Sequence, residues 1–473
     1  MFIGREKELS KLNQLYKSGT FQFPVIYGRR RVGKTALINE FVKDKDLIFF
    51  TGIESNDVQN LENLSKSIFT YTTGSENSPI FASFQSALEY IFKLAEEKQL
   101  VLVIDEYPYA AKAYRALSSI LQVLIDKNKD RSKLFLILCG SSMSFMEEQV
   151  LGYKSPLYGR RTAQLKIHAF DFAESCQYFK NFSGLDMAAI YGIVGGTPQY
   201  LLQLSDKLSV EENIKLNLLD TNSYLFEEPN NLLKQEVREA ALYNAIITAV
   251  AMGNTKLSEI ANKVGEDTSA CAACLKKLIS LEIIHKEMPF AEKSTKKTIY
   301  IIADNLFRFW YRFVPGNLSI LQNGMMDLAY KNVSDQMNTY MGAVFEEICR
   351  QYLWEQNRRG QAAISFTDLG RWWGNDPKRR SETEIDIMGA DSKGAALYGE
   401  CKWTNEKVGV GVLEKLVERS HLFTYKENYF YLFSRSGFTK ECMDAAEMAG
   451  NIELITFDDI VDLQSSGTNE KSE

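Results

Sequence analysis

Phe23-Pro-Val-Ile-Tyr27-Gly28-Arg29-Arg30-Arg31-Val32-Gly33-Lys34-Thr35-Ala36 is the stretch on which the fold turns. Residues of strand character run straight into the spacing G-x-x-x-x-G-K-[ST], and Leu37, Ile38 and Phe41 then fall on one face of a helix. In that strand–loop–helix setting the glycines let backbone N–H groups converge on phosphates, and the helix start adds its positive end. Gly28, Arg29, Arg30, Arg31, Val32, Gly33, Lys34, Thr35 and Ala36 are therefore expected to cradle ATP. Lys34 should reach the β- and γ-phosphates and the Thr35 hydroxyl should ligate Mg²⁺. Arg29, Arg30 and Arg31 are expected to face solvent or screen phosphate.

A second motif completes the first. Val101-Leu-Val-Ile-Asp105-Glu106 is a buried run ending in two carboxylates, at the sheet edge where open α/β folds bind ligands. Asp105 is expected to hold Mg²⁺ through water, and Glu106 to orient or deprotonate the attacking water. The next apolar run ends in Gly140-Ser141-Ser142, whose hydroxyls are placed to sense the γ-phosphate. Gly159-Arg160-Arg161 offers a cation for the transition state, against the alternative of a solvated surface pair.

Around these motifs, residues 25–27, 47–50, 101–104 and 134–138 read as parallel strands, with amphipathic stretches at 61–70 and 84–97. The 473 residues exceed one core. The boundaries read as an ATPase core over 1–168, a helical lid over 169–236, a winged helix-turn-helix over 237–312, a connector over 313–340, an α+β domain over 341–464 and a disordered tail over 465–473. Helices at 240–252, 257–264 and 269–281, an N-cap cluster at Asp267–Ser269 for the third, strands at 283–286 and 298–302 and a basic loop at 289–297 carry the winged-helix reading. Its lysines, Lys276, Lys277, Lys293, Lys296 and Lys297, suffice for phosphate contacts but not for reading bases.

Net charge is −6, so any nucleic-acid contact must come from local basic patches. No apolar run approaches the ~18 residues of a spanning helix, and the N-terminus lacks the pattern of a signal peptide. A cytoplasmic protein without a membrane partner is expected. Seven cysteines show no framework spacing, and Cys271-x-x-Cys274 falls on a helix, so small core residues are the expectation over zinc ligands.

The opening Phe2-Ile-Gly-Arg5-Glu6-x-Glu8-Leu9, the P-loop, Ile104-Asp-Glu-Tyr-Pro108, Gly195-Gly196-Thr-Pro198-Gln-Tyr-Leu and the aromatic run from Tyr300 to Phe313 together resemble the archaeal-type ATPase family. That family belongs to the signal-transduction (STAND) ATPases of the AAA+-related P-loop class, and its members often carry a C-terminal nuclease-like domain. The resemblance implies that Phe2 and Arg5 wrap over the adenine edge, that Gly196 and Pro198 belong to the lid with the proline on the nucleotide, and that the winged helix moves as ATP replaces ADP.

In the C-terminal part, Glu384-Ile-Asp386 and Glu400-Cys-Lys402 are strand-like and joined by a polar turn. A hairpin centred near Lys393 would set Asp386 opposite Glu400 and Glu384 opposite Lys402. Opposed carboxylates repel unless a cation lies between them. The pattern is similar to the PD-(D/E)xK nuclease superfamily, with Asp386, Glu400 and Lys402 in the named places and Glu346, on a helix expected over 342–354, as the helical acid. Asp386, Glu400 and Glu346 would then bind Mg²⁺ or Mn²⁺, with Lys402 positioning water. The alternative is a solvated face with a Glu384–Lys402 pair. Arg371 and residues 376–380 form a basic patch.

The expected fold class is α/β: a three-layer P-loop sheet with a helical lid, a winged helix-turn-helix and a restriction-endonuclease-like α+β domain. The expected function is ATP hydrolysis controlling a DNA-processing, Mg²⁺-dependent nuclease-like domain. Two alternatives stand beside it: a nucleotide switch that docks on DNA or a protein partner with an inactive nuclease-like domain, and a homo-oligomeric ring in which Arg160 or Arg161 acts in trans.

Overall fold

The structure, a computed structural model, describes residues 2–75 and 79–469, the side chains of 464–469 excepted. The chain forms two compact units: Met1–Phe170 with Thr197–Gln199, and Asp171–Gly196 with Tyr200–Glu473.

The first unit is built on a five-stranded parallel sheet: β1 (Pro24–Tyr27), β2 (Leu47–Thr51), β3 (Leu100–Asp105), β4 (Leu134–Gly140) and β5 (Ala163–Lys166), in the order β2-β3-β4-β1-β5. Every residue of β3 and β4 is buried. Alternation explains why both strands read as unbroken apolar runs. Leu100, Leu102, Ile104, Leu134, Leu136 and Leu138 enter the cluster on one face, while Val101, Val103, Phe135, Ile137 and Cys139 enter the cluster on the other. Helix Phe84–Glu97 begins at a capping box formed by Ser83 and Ser86 and buries Phe84, Leu88, Ile91 and Phe92 against the sheet. Strand β5 has no such run. Its Ala-Gln-Leu-Lys is a half-exposed edge, which hydropathy alone does not reveal.

Sheet order places β1 between β4 and β5, so the P-loop leaves the sheet with neighbours on both sides. Ile167 N–H donates to Tyr27 O at 2.7 Å, and a Cβ at Gly28 would lie 2.2 Å from the Ile167 carbonyl oxygen. The first glycine of the motif is thus demanded by this close approach.

The second unit carries helices Gly184–Val194, Tyr224–Glu236, Ala240–Ala251, Leu257–Val264 and Thr268–Ser280, the last capped by the Asp267 side chain. An antiparallel ribbon follows, β6 (Ile284–Glu287) with β7 (Ile299–Ile302). Phe290, in the loop between them, donates its N–H to Arg371 O at 2.8 Å. Cys271 and Cys274 are buried free thiols, as core residues should be.

Residues 313–340 are almost wholly helical: helix Asn305–Gln322 gives way to a single 33-residue helix, Met326–Arg358, which starts well before the expected 342. Its polar N-terminal half hides a sparse apolar stripe, with Ala329 and Val333 wholly buried. The final helix, Phe457–Asn469, enters the stretch expected to be disordered, and residues 470–473 lie outside the described residues.

The C-terminal sheet has the order β12-β11-β10-β9-β8, from β8 (Leu369–Asp376), β9 (Ser381–Ala390), β10 (Ala395–Lys402), β11 (Glu427–Ser434) and β12 (Ile452–Thr456). Strands β8, β9 and β10 are antiparallel neighbours; β11 and β12 run parallel to β10. The β9–β10 register sets Ala390 opposite Ala396 and Ile387 opposite Gly399, and so carries Asp386 opposite Glu400, as the turn at Lys393 implied. Strand β8 is additional to the strands read from sequence. Arg371 lies within it and bonds to Glu384, while Arg379 bonds to Glu418, so neither belongs to a loose basic patch.

Candidate functional site

The nucleotide-site residues meet at the C-terminal edge of the first sheet. Lys34 opens helix Lys34–Val42 and its Nζ donates to Gly28 O at 2.9 Å and Arg29 O at 2.8 Å. Burial pushes its ammonium below the ordinary lysine value, against the pull of Cys139, Glu106 and Asp105. A desolvated cation held by carbonyl dipoles is poised to gain from an incoming phosphate. Thr35 Oγ1 donates to Asp105 Oδ2 at 3.0 Å, across strand β4. This pair of oxygens from the loop and from β3 fits the hard-donor preference of Mg²⁺.

Glu106 follows immediately, in left-handed backbone (φ 46°, ψ 43°). Both its carboxylate oxygens lie 2.9 Å from Ser141 Oγ at the end of the neighbouring β4. Ser141, and not Ser142, meets Glu106; Ser142 lies one residue on, before the short helix Met143–Phe145. The acid expected to act on water is thus already oriented by the serine expected to sense phosphate.

The arginines of the loop are less open than expected. Arg29 is buried, and Arg30 Nη2 donates to Tyr109 OH at 2.9 Å, because helix Tyr107–Ala113 packs beside the loop. Pro198 contributes from Thr197–Gln199: its Cγ would lie 3.7 Å from a Cβ at Gly33. Arg5 donates to Val32 O at 3.2 Å and to His168 O, and lies 4.7 Å over the Phe170 ring. It ties the P-loop to the exit of β5, while Phe2 packs, half-buried, against the apolar cluster that includes Ile26 and Leu37.

Arg160 and Arg161 stand at the other edge of the sheet, just before β5. Arg160 is paired with Asp126 at 2.6 Å and donates to Pro156 O at 2.8 Å; Arg161 donates to Leu151 O at 3.3 Å. A four-residue strand, ~13 Å of chain, separates them from the edge that carries the P-loop.

In the second unit, Glu346, Asp386, Glu400 and Lys402 come together. Glu400 bonds to Lys402 Nζ at 2.7 Å and to Arg419 Nη1 at 2.9 Å, and Asp386 Oδ2 accepts the Cys401 N–H at 2.9 Å. Among the described residues, no group of three or more His, Cys, Asp and Glu side chains is disposed to hold a metal ion. Each oxygen of Glu400 thus accepts from one cation, Oε1 from Lys402 and Oε2 from Arg419. The expected Glu384–Lys402 pair is also absent among the described residues, since Glu384 bonds to Arg371. Arg419 escaped the sequence reading, and its only signal was the amphipathic helix Val410–Ser420 following the motif.

Burial, then the charges of Glu400 and Glu346, push the Asp386 carboxyl up to about 7. Unfolded, it releases its proton near 3.8. The fold therefore binds a proton that the unfolded chain has lost, and this contribution to stability is present below pH ~4 and fades as pH rises through ~7. Asp386→Asn is expected to melt a few degrees above wild type at pH 8, an effect on the order of 1–3 kcal/mol, with the gap closing by pH 4.5. Calorimetric melts at the two pH values check this; an equal gap at both would remove the assignment.

Comparison with known proteins follows the geometry. Residues 2–204 match a family described as an ATPase domain predominantly from Archaea, and residues 310–413 match one described as archaeal and bacterial proteins of unknown function. The uncharacterized protein MJECL04 of Methanocaldococcus jannaschii is 34% identical over 409 residues, 86% of this chain and 88% of that protein. The uncharacterized ATP-binding protein MJ1609 of the same organism is 23% identical over 297 residues, 49% of this chain and 77% of its own. Among solved structures, the Walker-type ATPase PABY2304 of Pyrococcus abyssi aligns with a TM-score of 0.47 at 19% identity, covering 66% of this chain and 96% of its own. The ORC2 protein of Aeropyrum pernix aligns with a TM-score of 0.45 at 17% identity, over 68% and 94%. Together with the converging P-loop and β3 residues, the domain order of the two matched segments and the extent of the 34% likeness show that the chain belongs to the archaeal-type ATPase family, with an ATPase domain followed by the C-terminal domain of unknown function.

Proposed function

We propose that this protein is an ATP-hydrolysing switch whose second unit docks on DNA through a winged helix and a nuclease-like fold. The observation that carries the hydrolytic half is the convergence at one sheet edge of Lys34, held on the P-loop carbonyls, with the Thr35–Asp105 and Glu106–Ser141 hydrogen-bonded pairs. Mg²⁺ held by Thr35 and Asp105 would neutralise phosphate charge. Lys34 binds the β- and γ-phosphates, Glu106 draws a proton from the attacking water, and Ser141 sets the direction of that carboxylate.

The DNA half rests on the three helices and the ribbon of the second unit, with exposed Lys276, Lys293, Lys296 and Lys297 available to phosphates. Docking is favoured over cleavage by the double cationic hold on Glu400. Wild type is expected to bind duplex DNA with strong salt dependence and to leave it uncut in Mg²⁺ or Mn²⁺. Replacing Lys276 and Lys277 by glutamate should weaken binding about tenfold, measured by fluorescence anisotropy. Scission of DNA by wild type that disappears in both Asp386→Ala and Lys402→Ala would overturn the docking reading in favour of a nuclease. A ring of copies remains the reading favoured by the position of Arg160 and Arg161 at the sheet edge away from the P-loop, and sedimentation with ATP distinguishes it.

A further inference from the structure

Within the second unit, a cavity of about 420 Å³ lies between the β6–β7 ribbon, the two long helices and β8. One helical face supplies Ala343, Glu346, Glu347 and Arg350; the ribbon supplies His285 and Glu287; Arg308 and Arg371 close it. Each guanidinium is hydrogen-bonded on one side, and Arg350 Nη1 also stands 3.9 Å from Glu346. Arg308 Nη2 donates to Ile302 O at 2.8 Å, Arg350 Nη2 to Glu347 at 3.0 Å and Arg371 Nη2 to Glu384. Among the described residues, Arg308 Nη1, Arg350 Nη1, Arg371 Nε and Glu287 Oε2 are buried without a hydrogen-bond partner. Buried polar groups of this kind are rare, and each remains destabilising until a partner arrives.

Three guanidiniums face three carboxylates, and burial holds His285 down to about 4, so the lining is electrically balanced near neutrality. A bare phosphate would meet the glutamates, and a bare cation the arginines. The unmatched groups call for a compact ligand that both accepts and donates. We propose that this cavity binds a purine nucleobase of the guanine type, whose O6 and N7 accept from the arginines and whose N1–H and N2–H donate to Glu287. The volume suits a single nucleoside and is too small for a duplex. Val250, Ala251 and Ile301 supply apolar wall for the ring faces. Because Glu346 also lies beside Asp386, a base held here adjoins the nuclease-like centre, yet the proposal stands without ATP hydrolysis or cleavage.

The test is calorimetry with guanosine, adenosine and two short single-stranded DNAs, one with a single guanine and one with none. Guanosine lacks the phosphates the P-loop needs, and Lys34→Ala protein serves as a second host. Binding of guanosine, or of the guanine-bearing strand alone, is expected in both hosts, at least about tenfold tighter than the adenine counterpart and weakened about tenfold or more in the isosteric Glu287→Gln. Binding by guanosine assigns a free nucleoside or nucleotide as the source; binding by the strand alone assigns nucleic acid. No heat with either guanine ligand at millimolar concentration, equal heat with adenine, or an unaltered isotherm in Glu287→Gln protein of unchanged melting temperature would overturn it.

Discussion

Lys34→Ala is expected to abolish the thermal stabilisation that ATP confers and to lower ATP turnover by about 10²–10³-fold or more. At a hundredfold excess over Kd, ATP should stabilise wild type by ~2.7 kcal/mol, several degrees of melting temperature, and the variant by none. Without nucleotide, however, the two proteins should melt within a few degrees of each other. The ammonium is buried and desolvated, held by two carbonyls and not by a close counter-ion, so its removal takes away a burdened charge along with two hydrogen bonds. Differential scanning fluorimetry with and without Mg²⁺-ATP reads both numbers. A persistent ATP shift in Lys34→Ala would sink the assignment of the loop.

Glu106→Gln should have the opposite profile: ATP still binds, but turnover falls by about 10²–10⁴-fold. Glutamine keeps the hydrogen bond to Ser141 and loses the ability to take a proton, so geometry and chemistry are separated in one substitution. Affinity should hold or tighten, since a negative group beside the γ-phosphate is gone. Ser141→Ala frees the same carboxylate to wander and should cost less, about tenfold. Single-turnover hydrolysis together with nucleotide titration distinguishes the two. Turnover in Glu106→Gln above a tenth of wild type would assign the water-activating role elsewhere.

The ATPase core was legible because its strands are buried on both faces and its phosphate motif is a matter of local spacing. Asp267 announced its helix by capping chemistry that acts over three residues. Legibility fell where tertiary context decides. Strand β5 and strand β8 are half-exposed, so no continuous apolar run marks them. The long helix Met326–Arg358 carries too thin an apolar stripe to be traced through its polar start. At the sites, sequence spacing brought Asp386 to Glu400 across a hairpin but could not foresee Arg419, which arrives from a separate helix. Nor does spacing say which edge of a sheet a residue occupies, and Arg160 stands just before β5, at the edge away from the P-loop.

Glu106 leaves β3 and starts the next helix within a single residue, a redirection that its left-handed backbone makes possible. An L-residue other than glycine holds that conformation at a cost of roughly 1–2 kcal/mol. Fold and chemistry therefore pull this position in opposite directions: the turn would rest more easily on glycine, while the proposed hydrolysis requires a carboxylate. Variant libraries sorted by heat resistance alone would drift toward glycine here and enrich for sturdy, inert protein. Only a screen that also reads phosphate release would keep the acid.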